Sequence, residues 1–571
     1  MKHSCLINAQ EYVNKWMQGF TRSLVSVSVI LVFLFPACSD FLDTKPLDKM
    51  VEEDFWKTRT DVQSILLACY KEMTSDAFME LVLIGGEFRS DNVRQDNNRT
   101  GQSLKDIMDM AIQTDNDLLK WKTFYTLINY CNRILDRAPK ITDIDPDYSQ
   151  GMLEVDLGEA RALRALAYFY LIRIYHDVPY VDFPYDDDNK SFLIAKTSGE
   201  IVIDKIIADL EQAEGEVVVT HGYSTSRSSS IRIKTKGRIT KNAVRALLAD
   251  AYLWKASGLP EAERAPYYEK CVRACEAIEP SILDENEPVN TQQLNGSELM
   301  LTSNVGHSQG GGSMSYSFIQ QFYFENSDES LFELQFDTNT PNNKVGSYYG
   351  RDGDAARINA SPLLESGVFD QTEDVRRYDS YAQTGAQTGV YRIFKYVAYL
   401  RDGNEPGDYR YLSASDVNAC NWIFYRIPDV FLMKAEALVE LGGDNNLNLA
   451  LELVNKVYVR SNPTVTPLLK INYSTREQMR DLVLLERQRE FLFEGKRWFD
   501  LLRVARKEGK SRDMVNKYIV PNAVLNSDVL LTKLSVMDAL YLPIHRDELL
   551  SNSALTQNPY YAESDALLLR K

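Results

Sequence analysis

The sequence predicts a mainly α protein: tetratricopeptide-like helical hairpins packed against a loop-rich, irregular half with short strands. Three observations lead there. Apolar residues recur at helical spacing through several long segments. Alanines fall where neighbouring helices would cross, which is what stacked hairpins need. Between Asn304 and Asn421 the texture changes to Gly, Ser, Asn, Tyr and Asp with only brief strand-like runs, as expected of long excursions from a helical frame.

The chain opens on an address. Val27 to Phe35 is an apolar run far short of the roughly 20 residues a membrane span needs, but it suits the h-region of a secretory signal. Ala37 is small enough for a signal peptidase, and Cys38 stands where a bacterial lipoprotein carries its lipid. Residues 1–37 are therefore expected to be a signal peptide and 38–571 a single domain with a lipidated N-terminal Cys38. A start at Met17 would leave Arg22 as the n-region charge, and a non-lipidated signal is the alternative. The formal charge is −17; the leader removes Lys2, Lys15, Arg22 and Glu11, a net +2, so the mature chain sits near −19. Such a body repels phosphate backbones and anionic lipid surfaces, which argues against nucleic acid as a partner.

Helical segments follow in order. WKTFYTLINYCNRILDR (121–137) repeats apolar residues at helical spacing, and in DLGEARALRALAYFYLIRIYHDVP the residues Ala160, Leu163, Ala167, Tyr170 and Ile174 form one stripe that Pro179 closes. GRITKNAVRALLADAYLWKASGLP has Thr240 as N-cap, a small apolar face and Gly258 with Pro260 at its end. With APYYEKCVRACEAIEP it makes one helix-turn-helix unit of about 40 residues, a pattern that returns in IPDVFLMKAEALVELGG and LNLALELVNKVYVR. Ser474 and Glu477 have capping-box spacing before a long amphipathic helix that Gly495 breaks. LFELQF and NWIFYRI read as strands.

Chemistry-bearing clusters are few. Glu486, Glu490 and Glu494 share one helix face but alternate with Arg487 and Arg489, the mark of a structural ion-pair cluster. His176, His221, His307 and His545 are scattered, with no HExxH, and no GxSxG appears. No cofactor or metal is expected; Asp186–Asp188 and Asp352–Asp354 read as solvated turns, with a structural calcium ion as the alternative. Cys69, Cys131, Cys271, Cys275 and Cys420 form no regular framework and read as buried small hydrophobes.

Seven ordered blocks resemble the SusD and RagB family, surface lipoproteins of Bacteroidetes: CSDFLDTKP, EARALRALAYFYLIRIYHDVP, GRITKNAVRALLADAYLW, ESLFELQF, YRIPDVFLMKAEALVELGG, ERQREFLFEGKRWFDLLR and YLPIHRDELLSNSALTQNPYY. The resemblance implies a helical domain with tetratricopeptide-like units that captures ligand without catalysis. It would form a lid over a SusC-like TonB-dependent transporter, to which it delivers oligosaccharides or, in the RagB-like branch, peptides. Asp40 and Asp43 resemble export signals that send such lipoproteins to the outer face of the outer membrane. A lipid-anchored glycoside hydrolase and a pure helical scaffold are the competing readings.

Sugar capture lays the apolar face of a pyranose on an aromatic ring while planar polar groups take the hydroxyls. Helical aromatics such as Trp121, Tyr125, Tyr168, Tyr170, Trp254 and Trp498 are assigned to the core. That leaves two loop segments as binding candidates. GGEFRSDNVRQDNN, which resembles the family's early loop near the ligand face, offers Arg89, Asp91 and Asn92 as hydrogen-bonding groups. KVGSYYGRDGD offers Tyr348 and Tyr349 for stacking and Arg351 as a fork of donors. The competing readings are a loop-stabilising polar network for the first and an ordinary surface loop for the second.

Overall fold

The computed structural model describes residues 55–562, except 97, 186–191, 222–228, 279–314, 351–355, 370–373, 384–388, 401–408, 412–416 and 523–526. The chain divides at Lys57, and the body from Thr58 holds every element named below. Its first half contains α1 (Arg59–Met73), α2 (Asp76–Gly86), β1 (Val93–Gln95), α3 (Gln102–Met108), α4 (Lys122–Ile141), α5 (Gln150–Tyr175), α6 (Gly199–Glu216), α7 (Ser229–Gly237), α8 (Lys241–Ser257) and α9 (Glu261–Glu276). Then come α10 (Tyr316–Phe322), β2 (Ser330–Leu334), α11 (Asn343–Tyr349), β3 (Ile358–Ala360), α12 (Val375–Ser380), β4 (Tyr381–Gln383), β5 (Tyr391–Ile393), β6 (Trp422–Arg426), α13 (Ile427–Leu441), α14 (Asp444–Ser461), α15 (Arg476–Glu490), α16 (Arg497–Glu508) and α17 (Ser527–Leu534).

The helical half is a row of neighbours in the sequence α4, α5, α6, α8, α9, α13, α14. α5 lies deepest. Its predicted stripe of Ala160, Leu163, Ala167, Tyr170 and Ile174 is buried, and so is nearly every other residue from Asp156 to Tyr175, because α4 and α6 flank it while α1 and α2 also pack on it. Its alanines let those helix axes approach, and Ser149 caps its start by accepting from the Met152 amide at 3.4 Å. The helix stops at His176, whose φ of 68° lies in the left-handed region, three residues before Pro179. α8 starts at the predicted cap: Thr240 Oγ1 accepts from the Ala243 amide, and Gly258 ends it. α13 and α14 join through Gly442 and Gly443, at φ 72° and 85°, where a side chain would be strained.

α15 begins one residue later than the sequence suggested. Thr475, with extended backbone, accepts from the Gln478 amide at 3.2 Å, and the Gln478 side chain accepts from the Thr475 amide at 3.1 Å. Ser474 and Glu477 are displaced because glutamine serves the capping box as well as glutamate, and Thr475 holds the extended conformation the cap needs. The helix ends at Glu490, and a turn with Phe493 at φ 63° and Gly495 at φ 70° leads into α16.

In the loop-rich half the two strand-like runs find each other. β2 and β6 pair antiparallel, Trp422 opposite Leu334, and every residue of both is buried. A four-stranded antiparallel sheet, in the order β1-β3-β5-β4, links the early loop to the later segments: Val93 faces Ala360, Ala360 faces Tyr391 and Ile393 faces Tyr381. Cys69, Cys131, Cys271 and Cys275 are buried free thiols, and Cys420 is half-buried. Of the aromatics assigned to the core, Tyr125 alone is half-buried; the others are buried. Among the described residues no helix is long and apolar enough to cross a membrane. The signal segment and Cys38 lie outside the described residues, as do Asp186–Asp188, Asp352–Asp354 and Arg351.

Candidate functional site

The early loop is pinned from beneath. A Cβ at Gly86 would stand 1.8 Å from the Gly495 carbonyl oxygen, so only glycine lets the end of α2 meet the turn between α15 and α16. Glu87 then accepts from the Gly495 amide at 3.0 Å, the Phe493 amide at 3.3 Å and Asn92 Nδ2 at 2.9 Å, and burial pushes its carboxyl up to about 7. Asp91 receives a two-pronged ion pair from Arg497, Nε to Oδ1 at 2.8 Å and Nη2 to Oδ2 at 2.9 Å. Gln488 donates to both Asp91 and Asn92, and Ser90 Oγ accepts from the Asn92 amide, closing a local turn.

Asp91 and Asn92 are therefore turned inward, and the loop is the polar network that was its competing reading. Arg89 is also interior: its guanidinium lies 4.6 Å over the Trp498 ring and Nη1 donates to the Leu540 carbonyl at 2.8 Å. Past this network β1 carries Arg94 and Gln95, half-buried, into a groove of about 50 Å3 shared with Asp109, Asn522 and Leu530. Arg94 Nε donates to Asn522 Oδ1 at 2.9 Å, and Gln95 Nε2 donates to Asp109 Oδ1 at 3.4 Å.

In the second segment, the described residues up to Tyr349 form α11 rather than an open loop. Tyr348 is 3% exposed and Tyr349 is buried; the first donates its hydroxyl to Glu80 and the second to the Phe493 carbonyl at 3.0 Å. Phe88 packs edge-on against both rings at 4.9 and 6.4 Å, so the two predicted segments do meet, through their cores. The stacking surface expected of Tyr348 and Tyr349 is not offered to solvent. Their helix is amphipathic enough, with Val345, Tyr348 and Tyr349 on one side, to be drawn onto α2.

Other rings take the exposed positions. Among the described residues the exposed large aromatics are Phe192, Tyr323, Phe324 and Tyr378, three of them on the loop-rich half. Tyr323 and Phe324 sit side by side at the end of α10, centroids 5.0 Å apart, and Phe324 is 50% exposed. The chain leaves them through Glu325 and Asn326, at φ 58° and 47°, anchored where Glu325 accepts from the Asn421 amide and the Asn326 amide donates to Glu333. Tyr378, on α12, has the Arg377 guanidinium 5.3 Å from its ring. The two short helices are joined: Asp379 accepts from the Ser315 amide at 2.8 Å, at the start of α10. The sequence did hold a signal for this pair, in FYFENSDES, where aromatics run directly into a turn of Glu, Asn, Ser and Asp.

The acidic row proves to be an ion-pair cluster, but not one helix face: Glu486 and Glu490 lie on α15, whereas the helix has ended before Glu494, which lies in the turn after it. Glu490 binds Arg376, Arg426 and Arg460, and Glu494 binds Arg426 and Lys395; all are buried except Arg460, which is half-buried. Burial alone would raise Glu494, but Arg426 and Lys395 hold it down to about 2. A glycosidase acid must hold its proton near working pH, so neither carboxylate suits that role. A cleft of about 520 Å3 between α9, α13, α15 and α16 is walled by mutually paired charges such as Arg480 with Glu440 and Arg503 with Glu436.

Comparison with known proteins places these features. Residues 290–561 match the family model described as SusD family, and residues 40–253 match the one described as starch-binding associating with outer membrane. SusD-like protein P38 of Formosa agariphila is 26% identical over 508 residues, 84% of this chain and 91% of the relative. A SusD superfamily protein from Bacteroides thetaiotaomicron superposes with a TM-score of 0.62 at 22% identity, over 89% of this chain and 99% of its own. NanU of Bacteroides fragilis does so with 0.62 at 20%, over 90% and 99%. At those identities the superpositions show the shared fold.

Proposed function

The chain belongs to the SusD/RagB family, nutrient-binding companions of the outer membrane, and on that premise we propose that it captures glycan at the cell surface and hands it to a SusC-like TonB-dependent transporter. In this reading Cys38 carries the lipid, the body faces outward, and no chemistry is performed on the ligand. The observation that carries the glycan reading is the exposed pair Tyr323 and Phe324, with Tyr378 on the adjoining helix. Rings held out from an irregular surface supply the stacking faces that pyranose rings need, and the Arg377–Glu365 ion pair beside Tyr378 supplies polar groups next to them. The name of the family model matched by residues 40–253 supports the same ligand class.

The test is binding of the soluble chain that starts after Cys38 to panels of polysaccharides and peptides, by affinity gel and calorimetry, with product analysis. Retention by glycan without new reducing ends, weakened in Tyr323→Ala and Phe324→Ala, is the expected result. Binding to peptides alone would move the protein to the RagB-like branch, and release of sugar would make it a hydrolase.

A further inference from the structure

Two thiols meet inside the helical half. Cys69 on α1 and Cys131 on α4 are both fully buried, and their sulfurs stand 3.8 Å apart. They are 62 positions apart in the sequence, so the contact is made by the packing of α1 on α4 and not by local geometry. The remaining thiols of the described residues are placed differently. Cys271 donates to the Met433 carbonyl at 3.8 Å and shares α9 with Cys275, while Cys420 donates to the Phe322 carbonyl at 3.4 Å. A disulfide holds its sulfurs at about 2.05 Å, so closing this contact moves each sulfur by about 0.9 Å, a distance within reach of side-chain rotation.

Compartment and position both favour the bond. The leader read in the sequence, with its apolar run from Val27 to Phe35, sends the chain out of the cytosol to where disulfides form and persist. α1 is the first helix of the body after the anchor position, and chain ends fray unless they are tied down. A bond between positions 62 apart also removes far more freedom from the unfolded chain than one between Cys271 and Cys275, four apart on one helix. Burial, reinforced by the contact with Cys131, pushes the Cys69 thiol well up, so the finished fold withholds the thiolate that exchange requires. The bond would therefore form while the chain folds, before α1 settles on α4.

We propose that Cys69 and Cys131 are joined as a disulfide in the exported protein, stapling the helix nearest the anchor to the helical row. The step is an exchange with the disulfide of a thiol–disulfide oxidoreductase. One cysteine thiolate attacks that disulfide, and the sulfur of the second cysteine then displaces the carrier from the mixed disulfide. One S–S bond forms in this chain and one breaks in the carrier, which leaves as a dithiol with the two electrons and two protons of the original thiols. The inference rests on the export reading above and is independent of the ligand.

The full chain, leader included, is expressed in a bacterial host with an oxidising periplasm and recovered from the membrane fraction. It is denatured in urea with an alkylating reagent and no reductant, digested, and read by mass spectrometry. Label should appear on Cys271, Cys275 and Cys420 and be missing from Cys69 and Cys131, whose peptides should be found joined and should separate with dithiothreitol. The urea midpoint of the recovered protein should fall on reduction, and Cys69→Ala and Cys131→Ala should each abolish that response. Label on Cys69 and Cys131, a bond between Cys271 and Cys275 in their place, or a midpoint indifferent to reductant would each overturn the proposal while leaving export and glycan capture in place. A chain that stays in the cytosol would overturn the export reading and the proposal together.

Discussion

Tyr348 and Phe324 should respond to truncation in opposite ways. Tyr348→Ala removes a ring that is 3% exposed, packs on Phe88 at 4.9 Å and donates to Glu80. Deleting a buried aromatic costs about 3–5 kcal/mol, and among the described residues Glu80 keeps Lys344, at 2.9 Å, as its ion-pair partner. Phe324→Ala removes a ring that is half exposed and lies edge-on to Tyr323, so its stability should stay within about 0.5 kcal/mol of wild type. If that ring stacks a sugar, its loss costs about 0.5–1.5 kcal/mol of binding, roughly 2- to 12-fold in Kd. Urea unfolding read by tryptophan fluorescence, with calorimetry on the glycan that the panel identifies, measures both quantities. A Tyr348→Ala protein with an unchanged urea midpoint, or a Phe324→Ala protein that binds normally but unfolds early, would refute the division between buried and presented rings.

Three further outcomes follow from the interior. Asp91→Asn leaves the Arg497 guanidinium buried without its carboxylate and should cost about 3–5 kcal/mol in the same urea assay. Gly86→Ala drives a methyl into the Gly495 carbonyl and should cost about 3 kcal/mol, whereas Gly101→Ala, which meets nothing within 4 Å, should be nearly neutral. The pH dependence of the thermal midpoint should peak near pH 4.5. Glu87 and Asp379, both raised by burial to about 7, bind more protons folded than unfolded, so stability falls as pH climbs from about 4 to 7. Glu494, held at about 2, contributes stability above its unfolded value that is lost as pH drops from about 4.5 to 2. Glu87→Gln should flatten the upper limb in a calorimetric scan; a midpoint that rises steadily to pH 7 in the wild type would contradict the assignment.

The helical half was legible because its signals are local. Thr240, Gly258 and the α5 stripe are decided by neighbours within a few positions, and they lie where periodicity and capping put them. Even the displacement from Ser474 to Thr475 is one residue between two acceptable caps. The loop-rich half depends on contacts across hundreds of positions. Asp91 looks like a solvated turn residue until Arg497 is brought to it, and KVGSYYG looks like a loop until α2 offers its two tyrosines a surface. Gly86 carries no pattern at all; its reason is the Gly495 carbonyl, more than 400 positions away. The same lack of range hid Tyr323 and Phe324, since exposure is what remains after every other ring has found a partner.

The acidic residues at the end of α15 and in the turn after it show how the two halves are held together. Glu490 and Glu494 receive Arg376 from α12 and Lys395 from beyond β5, both loop-rich, along with Arg426 at the end of β6 and Arg460 on α14. Lys496, after the turn, reaches back to Asp429 at 2.6 Å. Replacing such a network by apolar residues need not lose stability, but an apolar contact fixes neither direction nor register. Here one helix end sets the place of α12, and Asp379 of α12 sets the start of α10, which ends in Tyr323 and Phe324. If that chain of contacts positions the rings, Arg376→Met should loosen ligand binding through α12 without touching the aromatic pair. Phe324→Ala in the same background should then add less than it does alone, a coupling that a double-mutant cycle measures directly; full additivity would mean that the rings are positioned by the Glu325–Asn421 anchor instead.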